Sequence, residues 1–592
     1  MKTVKQRIKG LAFHSNHKPR GWVRALLFDK ERRPKGPLRF LVTDKEGNPK
    51  SAFAPWMARA YKKRSSQQLK AWFTQRDALI ESGELGQVKT LAILASPHTL
   101  FIARLLKSCL SETKLTVNVV EQYCEDSADL YVVIAPQYHN TLPPREKTVA
   151  FQVEQSTTDR WFTDEYLDEL QETLAVIDYS IRNLSVLRQR NLELKTLYFV
   201  PLAPMPTPEA SAPGDRDIDV LFYGDASFGR RQKYIERLRQ SFKVEVVTNA
   251  FGDEVLKKIR RAKVVVNIHA YETALLETTR ICECLSEGTR VVSETAVDQE
   301  HHGALASMVS FVPQGDVEGM VQAVEAALAD DRSLTVDPAI YRQTKFMVLR
   351  VLLGLGVLSP EEFERLTAWY ELPSDKLVLS MPEETDRYAW CQESKLDGYE
   401  LFPGLRRNPS WKGCGLSYWY MARKALAVSV EQLQIYEDDC YFPEDFSAKK
   451  LKVDRYLEEN AGTWDVFSGL ISDLAPAAKI QKVETRDGVT YVQLDQLVGL
   501  VFGYYREAAL KAMAEWDWAV LDKRTGAIDR YLEQKRDLRT LTTSPYLCGH
   551  SPNFSSSIWN AHNADVESKI ANSVRRLDRM VEAHQKKEVA AS

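Results

Sequence analysis

From residue 88 onward the chain alternates short apolar runs with stretches of helical length. The first runs are Val88–Ala95, Leu115–Val120, Leu130–Ala135, Thr148–Val153, Ala175–Ile177 and Leu197–Val200. Strands separated by helices predict βα units and a parallel sheet. A Pro-, Ala- and Ser-rich stretch from Pro204 to Gly214 predicts a linker. A second set of runs follows at Asp217–Tyr223, Lys243–Val247, Lys263–Asn267, Thr289–Ser293 and Met308–Val312, with a helix near Val317–Leu328 and a helix-rich segment over 338–370. Two successive sets predict two Rossmann-like halves with a cleft between them. Before the first set, Ala52–Gly83 reads as helix with Lys, Arg and Gln on its exposed side; at the other end, Val574–Ser592 reads as a charged helix fraying into disorder.

One run ends unlike the others. Leu433-Gln434-Ile435-Tyr436 suits a buried strand, and it stops in Glu437-Asp438-Asp439. Acids at the carboxyl end of a strand fall where open α/β sheets bind ligands. Adjacent like charges repel, so the triplet is stable as anions mainly with something positive among them. Mn²⁺ or Mg²⁺, completed by substrate phosphate, would meet that need. The competing expectation is a solvated acidic turn or a helix cap.

Composition narrows the classes. A chain of 592 residues suggests several domains. With 79 Lys and Arg against 81 Asp and Glu, the net charge of −2 argues against a general nucleic-acid binder. Eight cysteines are scattered without a Cys-x-x-Cys pair, so neither a zinc framework nor a disulfide scaffold is expected, and a cytoplasmic setting is. The apolar run Phe346–Leu358 is too short for a membrane span and contains Arg350. Within residues 1–36, Lys and Arg interleave with Leu11, Phe13, Trp22, Leu26, Leu27 and Phe28. That mixture suits peripheral contact with the anionic inner face of a membrane, or a face docked on the rest of the protein.

Around the acidic triplet the order of segments resembles the family 25 glycosyltransferases of lipopolysaccharide biosynthesis. Upstream lies Trp411-Lys412-Gly413-Cys414-Gly415-Leu416-Ser417-Tyr418, then a helical length, then the strand with its acids. Leu377-Val378-Leu379-Ser380 with Asp386-Arg387 resembles the family's first strand and its Arg. Trp464-Asp465-Val466, Ile528-Asp529-Arg530-Tyr531-Leu532 and the stretch from Ser544-Pro545 through His550 to Ser556-Ser557-Ile558 resemble its later segments. Tyr418 and His550 depart from it, standing where the family often has His and Gln. The resemblance covers roughly 372–562 and implies a GT-A-like domain. Glu437 and Asp439 would be metal ligands with His550 a third, and Asp438 would turn to the donor sugar or to the fold. Arg387 would meet donor phosphate, or only the acid run Glu383-Glu384-Asp386. Asp529 would take the proton of the acceptor hydroxyl, with Asp465 its competitor and a helix-cap role open to either.

Val264-Val265-Val266-Asn267-Ile268-His269 and the segment Leu276–Glu294, with Glu277, Arg280 and Glu283 on one helix, resemble bacterial GT-B glycosyltransferases. In that fold the Glu-bearing helix faces the sugar nucleotide. The turn Tyr223-Gly224-Asp225-Ala226-Ser227-Phe228-Gly229-Arg230-Arg231 offers Gly224 for close backbone approach, and Arg230 and Arg231 at a helix start suit a diphosphate. A salt-bridge ladder is the alternative for Glu277, Arg280 and Glu283, and a strand cap for His269. Cys282 and Cys284 read as packing residues.

The expectation is therefore an α/β chain: a helical basic N-terminal extension over 1–87, a GT-B-like pair of Rossmann-like domains over 88–203 and 215–360, a GT-A-like domain over 372–562, and a charged tail over 563–592. The function implied is a bifunctional glycosyltransferase that moves sugars from nucleotide-diphosphate donors to a glycan or lipid-linked glycan acceptor. The alternatives are one active module with the other positioning the glycan, or a non-catalytic glycan-binding scaffold.

Overall fold

The computed structural model describes residues 66–157, 162–206, 216–330, 332, 334–496, 498–551, 554–556 and 561–591, with Val23, Leu26 and Leu27 before them. The chain forms two compact units, Met1–Leu79 with Gln87–Leu349 and Ile80–Gly86 with Arg350–Ser592.

In the first unit, β1 (Thr90–Leu94), β2 (Thr116–Val120), β3 (Leu130–Ile134), β4 (Thr148–Gln152), β5 (Ala175–Asp178) and β6 (Leu197–Phe199) form a sheet in the order 2-1-3-4-5-6. Every pairing in it is parallel. Strands β3, β4 and β5 are buried at every position, which is why they read as continuous apolar runs rather than alternating ones. A second parallel sheet follows, with β7 (Ile218–Tyr223), β8 (Val244–Val247), β9 (Ala262–Asn267), β10 (Arg290–Glu294) and β11 (Val309–Val312) in the order 8-7-9-10-11. Both faces of this sheet are covered. Leu221, Val265 and Val291 pack toward Ile259, Ile281 and Leu285, and Val220, Phe222, Val264 and Val266 toward Tyr234, Leu238 and Met320.

Each strand of both sheets begins and ends within two residues of its predicted apolar run. In both sheets the strand order reverses after the first strand, between β1 and β3 and between β7 and β9. A crevice opens outside the carboxyl ends of strands at such a reversal.

The second unit holds an eight-stranded mixed sheet. Its strands are β12 (Lys376–Ser380), β13 (Glu400–Pro403), β14 (Gln432–Glu437), β16 (Val466–Ser468), β17 (Ile480–Arg486), β18 (Val489–Leu494), β19 (Phe502–Arg506) and β20 (Thr540–Ser544), in the order 13-12-14-19-16-20-18-17. The edge β13-β12-β14 is parallel and again reverses at its first strand, while β19 runs antiparallel between β14 and β16. A small ladder pairs β15 (Cys440–Tyr441) with β21 (Gly549–His550). Asp487 and Gly488, both with positive φ, turn β17 into β18; Asp-Gly is a strong hairpin signal.

Two expectations are corrected. The division between units falls inside the helix Pro338–Leu355, not beyond residue 360. Arg350 on that helix is fully buried, gives Glu383 two hydrogen bonds of 2.6 and 3.0 Å, and donates to Gly404 O at 2.7 Å, so its last turns belong to the second unit. The 563–592 segment does not fray as a charged tail: Asn563–Ala591 is one helix. Ser573, Leu577 and Val581 recur every fourth residue and are buried, and Ser573 Oγ donates to Ile471 O at 2.6 Å. A stripe this narrow among charged neighbours leaves little mark on the sequence. In the N-terminal extension, Ser66–Ser82 is helical as predicted, whereas the predicted 52–65 portion and most of the basic 1–36 stretch lie outside the described residues. Val23 and Leu27, four apart, are buried, whereas Leu26 is 53% exposed. No helix of the described residues is long and apolar enough to cross a membrane.

If the C-terminal helix is part of the second unit's core, Leu577→Ala leaves a cavity and lowers that unit's unfolding free energy by about 2–4 kcal/mol. Denaturant titration followed by tryptophan fluorescence measures it, and an unchanged midpoint would show the helix to be dispensable.

Candidate active sites

In the first unit the residues singled out at the second sheet come together at its reversal point. β7 ends at Tyr223 and the chain turns through Gly224, whose φ of +131° is open to glycine and strained for other residues. A Cβ there would lie 3.2 Å from an Arg280 amino group and 3.9 Å from one of Arg231. The two guanidiniums thus converge over this turn. Arg231 is buried; its Nε donates to Ile268 O at 2.8 Å, one amino group to Asp225 O at 3.1 Å and the other to Glu277 Oε1 at 3.0 Å. Arg280 donates to Asn267 Oδ1 at 2.6 Å and is paired with Glu277. Burial disfavours the Glu277 anion, but the charges of Arg280 and Arg231 and the nearby His269 outweigh it and hold the carboxyl down at about 2. Burial raises the Glu283 carboxyl to about 7, and its Oε2 accepts from Tyr223 OH at 3.2 Å. The expected ladder therefore stops at Glu277–Arg280.

His269 stands at the end of β9 and is fully buried. Among the described residues neither ring nitrogen has a hydrogen-bond partner, Nδ1 lying 3.9 Å from Glu277 Oε1. A buried imidazole without partners is costly. Beside two convergent arginines it supplies what a bound polar anion would use: a hydrogen-bond donor next to two cations.

Arg230 does not join them. It forms a bidentate pair with the fully buried Glu294, one contact being 2.5 Å, and donates to His269 O at 3.1 Å. Glu294 also accepts from Tyr234 OH at 2.5 Å, His269 N at 2.9 Å and Gly315 N at 3.2 Å. This carboxylate ties the ends of β9 and β10 to the helix Gly229–Arg239, so Arg230 is a structural residue rather than a diphosphate ligand. The sequence signal for Glu294 was an acid at the end of an apolar strand, the same signal that marked Glu437.

In the second unit the acidic triplet lies at the reversal between β12 and β14, with Asp438 and Asp439 buried and Glu437 half-buried. Asp438 is 4% and Asp439 3% exposed, so the expectation of a solvated acidic turn fails. The positive group among them is Arg387, on the helix Thr385–Ser394. Its guanidinium is paired with Asp438 and lies 2.8 Å from Asp439 Oδ2. Arg387 therefore pairs with the triplet and not with Glu383, which Arg350 occupies. Burial opposes the Arg387 charge, yet Asp438 and Asp439 push its pKa upward. Asp438 turns to the fold: its Oδ2 accepts from Ser380 Oγ at 2.8 Å and its N–H donates to Leu379 O at 3.2 Å, joining the ends of β12 and β14.

The pairing of Cys440 with His550 across β15 and β21 carries His550 to Asp439, Nε2 lying 3.2 Å from Oδ2. Burial lowers the imidazole, but the hydrogen bond and charge of Asp439 outweigh it and leave its pKa raised. Glu437 is raised well above the ordinary carboxylate range, first by burial and then by Asp439. Cys414 Sγ lies 3.9 Å from Glu437 Oε1, and its thiol is raised by burial and by the charges of Glu437, Asp529 and Asp439. Asp529, on the helix Ile528–Glu533, thus stands with the triplet around Cys414, and burial raises its carboxyl. Cys414 lies on the helix Ser410–Ala427, and Gly413 lets that helix approach the backbone after β13: a Cβ there would lie 2.8 Å from Leu405 O. Tyr418 is a core residue, its hydroxyl donating to Leu500 O at 2.8 Å.

Asp465 is elsewhere. It takes hydrogen bonds of 2.7–2.9 Å from Arg539 and its carbonyl accepts from Arg506 N at 3.0 Å. Arg506 pairs with Gln432 at the start of β14, so Asp465 lies at the opposite end of the strand from Glu437, roughly 16 Å away at ~3.3 Å per residue. It is not a candidate base.

No protein-family model and no curated protein matches the chain. Among solved structures it is similar to sucrose-phosphate synthase from Thermosynechococcus elongatus, with 13% identity over 48% of this chain and 100% of that one and a TM-score of 0.30. WaaG, a glycosyltransferase involved in lipopolysaccharide biosynthesis, gives 11% over 47% and 99%, TM-score 0.29. Anabaena Alr3699/HepE in complex with UDP and glucose gives 12% over 44% and 95%, TM-score 0.27. At these scores the likenesses decide nothing about this chain, whose chemistry rests on the residues above.

The Glu277 network predicts a pH signature. A carboxyl held at about 2 when folded, against an ordinary value of 4.5, stabilises the protein above pH 4.5 and loses that contribution as pH falls toward 2. Glu277→Gln should be less stable than the native protein at pH 7 by about 3 kcal/mol. The gap should close between pH 4.5 and 2, as read from urea midpoints across that range.

Proposed function

We propose that the chain is a glycosyltransferase with two sugar-transfer modules, each drawing on a nucleotide-diphosphate sugar. The observation that carries this reading is the carboxyl edge of β7 and β9, where Arg231, Arg280 and His269, whose ring nitrogens have no hydrogen-bond partner among the described residues, surround a glycine turn at a sheet reversal. Preorganised guanidiniums there suit the diphosphate of a donor and meet charge that grows on it as the sugar departs, with no metal needed. Glu277 fixes both arginines and stands where a carboxylate can hold ribose hydroxyls. In this reading the acceptor is a surface glycan or lipid-linked glycan such as lipopolysaccharide, and the protein works on the cytoplasmic side of the inner membrane, peripherally attached through its basic N-terminal stretch.

In the second unit the proposal is a GT-A-like module of family 25 type. The donor set fits a divalent cation: two carboxylates and an imidazole, with acids outnumbering the bases that face them. Glu437, Asp439 and His550 would hold Mn²⁺ or Mg²⁺, although among the described residues no three such groups are already drawn into one cluster. When bound, the ion supplies Lewis-acid charge to a leaving diphosphate. Arg387 pairs with Asp438 and Asp439 and holds them in place. Asp529, raised by burial, is suited to take the proton of an acceptor hydroxyl. A second reading, in which this unit only positions the glycan, is favoured by one observation: Arg387 already meets the charge of the acids.

Two measurements test the proposal. Calorimetric titration with UDP should show binding that Arg280→Ala weakens at least tenfold, and no binding by the native chain would refute the reading of the first unit. Nucleotide release from a panel of UDP- and GDP-sugars should have a component that EDTA and Asp439→Asn both abolish while an Arg280-dependent component persists. A single component insensitive to both treatments would leave the second unit as a positioning module.

A further inference from the structure

The first sheet reverses between β1 and β3 as the second does between β7 and β9, yet nothing above assigns a role to its carboxyl edge. A buried polar network lies there. Gln152 at the end of β4 and Asn183 are fully buried and both donate to Glu154 O at 2.9 Å. Gln152 also donates to the buried Asp178 at 2.6 Å, and Asn183 Oδ1 accepts from Ser156 N at 2.9 Å. Burying amides and a carboxylate in this number is costly in a sheet core. Much of the network converges on the backbone of the loop after β4, fixing where the Glu154 side chain can go.

That side chain is positioned in turn. Its Oε1 accepts from Gln137 Nε2 at 2.7 Å and from Tyr138 OH at 2.9 Å, both on the turn after β3. Because Gln137 must offer its NH₂ to a carboxylate, its carbonyl Oε1 is directed elsewhere. Gln137 is 4% exposed, and that Oε1 has no hydrogen-bond partner among the described residues, nor has Ser156 Oγ. An unfilled acceptor, a hydroxyl and a fixed carboxylate on neighbouring turns are what a polyhydroxylated molecule would use.

The same loop reaches the other half of this unit. Gln155 exchanges two 3.0 Å hydrogen bonds with the backbone of Leu275, two residues before Glu277. Tyr179, at the end of β5, feels the charges of Asp178, Asp298, Glu154 and Glu277 together. The loop that carries Glu154 is thus tied to the segment that carries Glu277.

Resting on the proposed transferase reading of this unit, we infer that Gln137, Glu154 and Ser156 form the acceptor-hydroxyl subsite and that Glu154 is the base of the transfer. The acceptor O–H proton passes to the Glu154 carboxylate as the acceptor oxygen bonds to the anomeric carbon. The bond from that carbon to the donor phosphate breaks, and the nucleoside diphosphate leaves with the electron pair. Gln137 Oε1 and Ser156 Oγ hold neighbouring hydroxyls of the same acceptor, and the single displacement inverts the anomeric carbon.

The test uses the full chain with UDP-glucose and a panel of methyl glycosides (glucoside, galactoside, mannoside and heptoside), read as UDP release, together with UDP titration and a thermal-unfolding check. Native protein should bind UDP and release it faster with at least one glycoside. Glu154→Gln, nearly isosteric, should keep its UDP affinity within twofold and its unfolding temperature, but lose the glycoside-stimulated rate at least 100-fold and with it the acidic limb of the pH–rate profile. Gln137→Met should raise the glycoside KM more than it lowers kcat. A Glu154→Gln enzyme stimulated like the native one overturns the role of Glu154, and a native chain that binds UDP but responds to no glycoside overturns the subsite. A native chain that binds no nucleotide overturns the transferase reading itself, which separates the two failures.

Discussion

A carboxylate taken out of water must be met by a cation or by several hydrogen bonds, and this chain repeats that solution. Glu294 is met by Arg230 and Tyr234, Glu277 by Arg231 and Arg280, Glu383 by Arg350, and Asp438 and Asp439 by Arg387. Such pairs contribute little net stability over apolar packing, but removing one partner strands a charge and costs several kcal/mol. They therefore hold elements in register. Glu294 joins β9, β10 and the first turn of a helix; Asp438 joins β12 to β14.

The pairs also separate scaffold from site. Where a carboxylate is saturated, as Glu294 is by five donor contacts, its partners are structural. Where cations converge beside a group without hydrogen-bond partners among the described residues, as Arg231 and Arg280 do beside His269, the arrangement has capacity for something more. Arg230 and Arg231 are neighbours in sequence with the same chemistry, yet they fall on opposite sides of that line. The first helical turn points one guanidinium at Glu294 and the next at the crevice.

Topology decides where such capacity gathers. All three parallel edges reverse at their first strand, and each reversal carries polar residues at strand carboxyl ends: Gln137 and Glu154 in the first sheet, Arg231, His269 and Arg280 in the second, the acidic triplet with Arg387 and His550 in the third. The second is cationic and suits an anion without a metal; the third is acid-rich and suits a metal-borne one; the first has amide, hydroxyl and carboxylate and suits hydroxyls. In the proposed reading one geometric rule places three different chemistries.

Strands buried on both faces must be apolar throughout, so β3, β4 and β5 were legible as continuous runs, and the acids that interrupt a run at Glu437 were legible as a candidate site. Whether those acids are buried or solvated was left open by the sequence, and the fold decides it by burying Asp438 and Asp439. Nor were partners legible. Arg387 lies 51 residues from Asp438, Arg231 lies 46 from Glu277 and Arg230 lies 64 from Glu294. No local pattern tells which of several arginines closes on which acid. For the same reason Asp465 and Asp529 read alike in sequence, yet one end of the mixed sheet holds Asp465 against Arg539 and the other brings Asp529 to Cys414. Periodicity is a property of neighbours along the chain and survives in the sequence. Charge pairing is a property of neighbours in space, and only folding chooses among the cations that could serve.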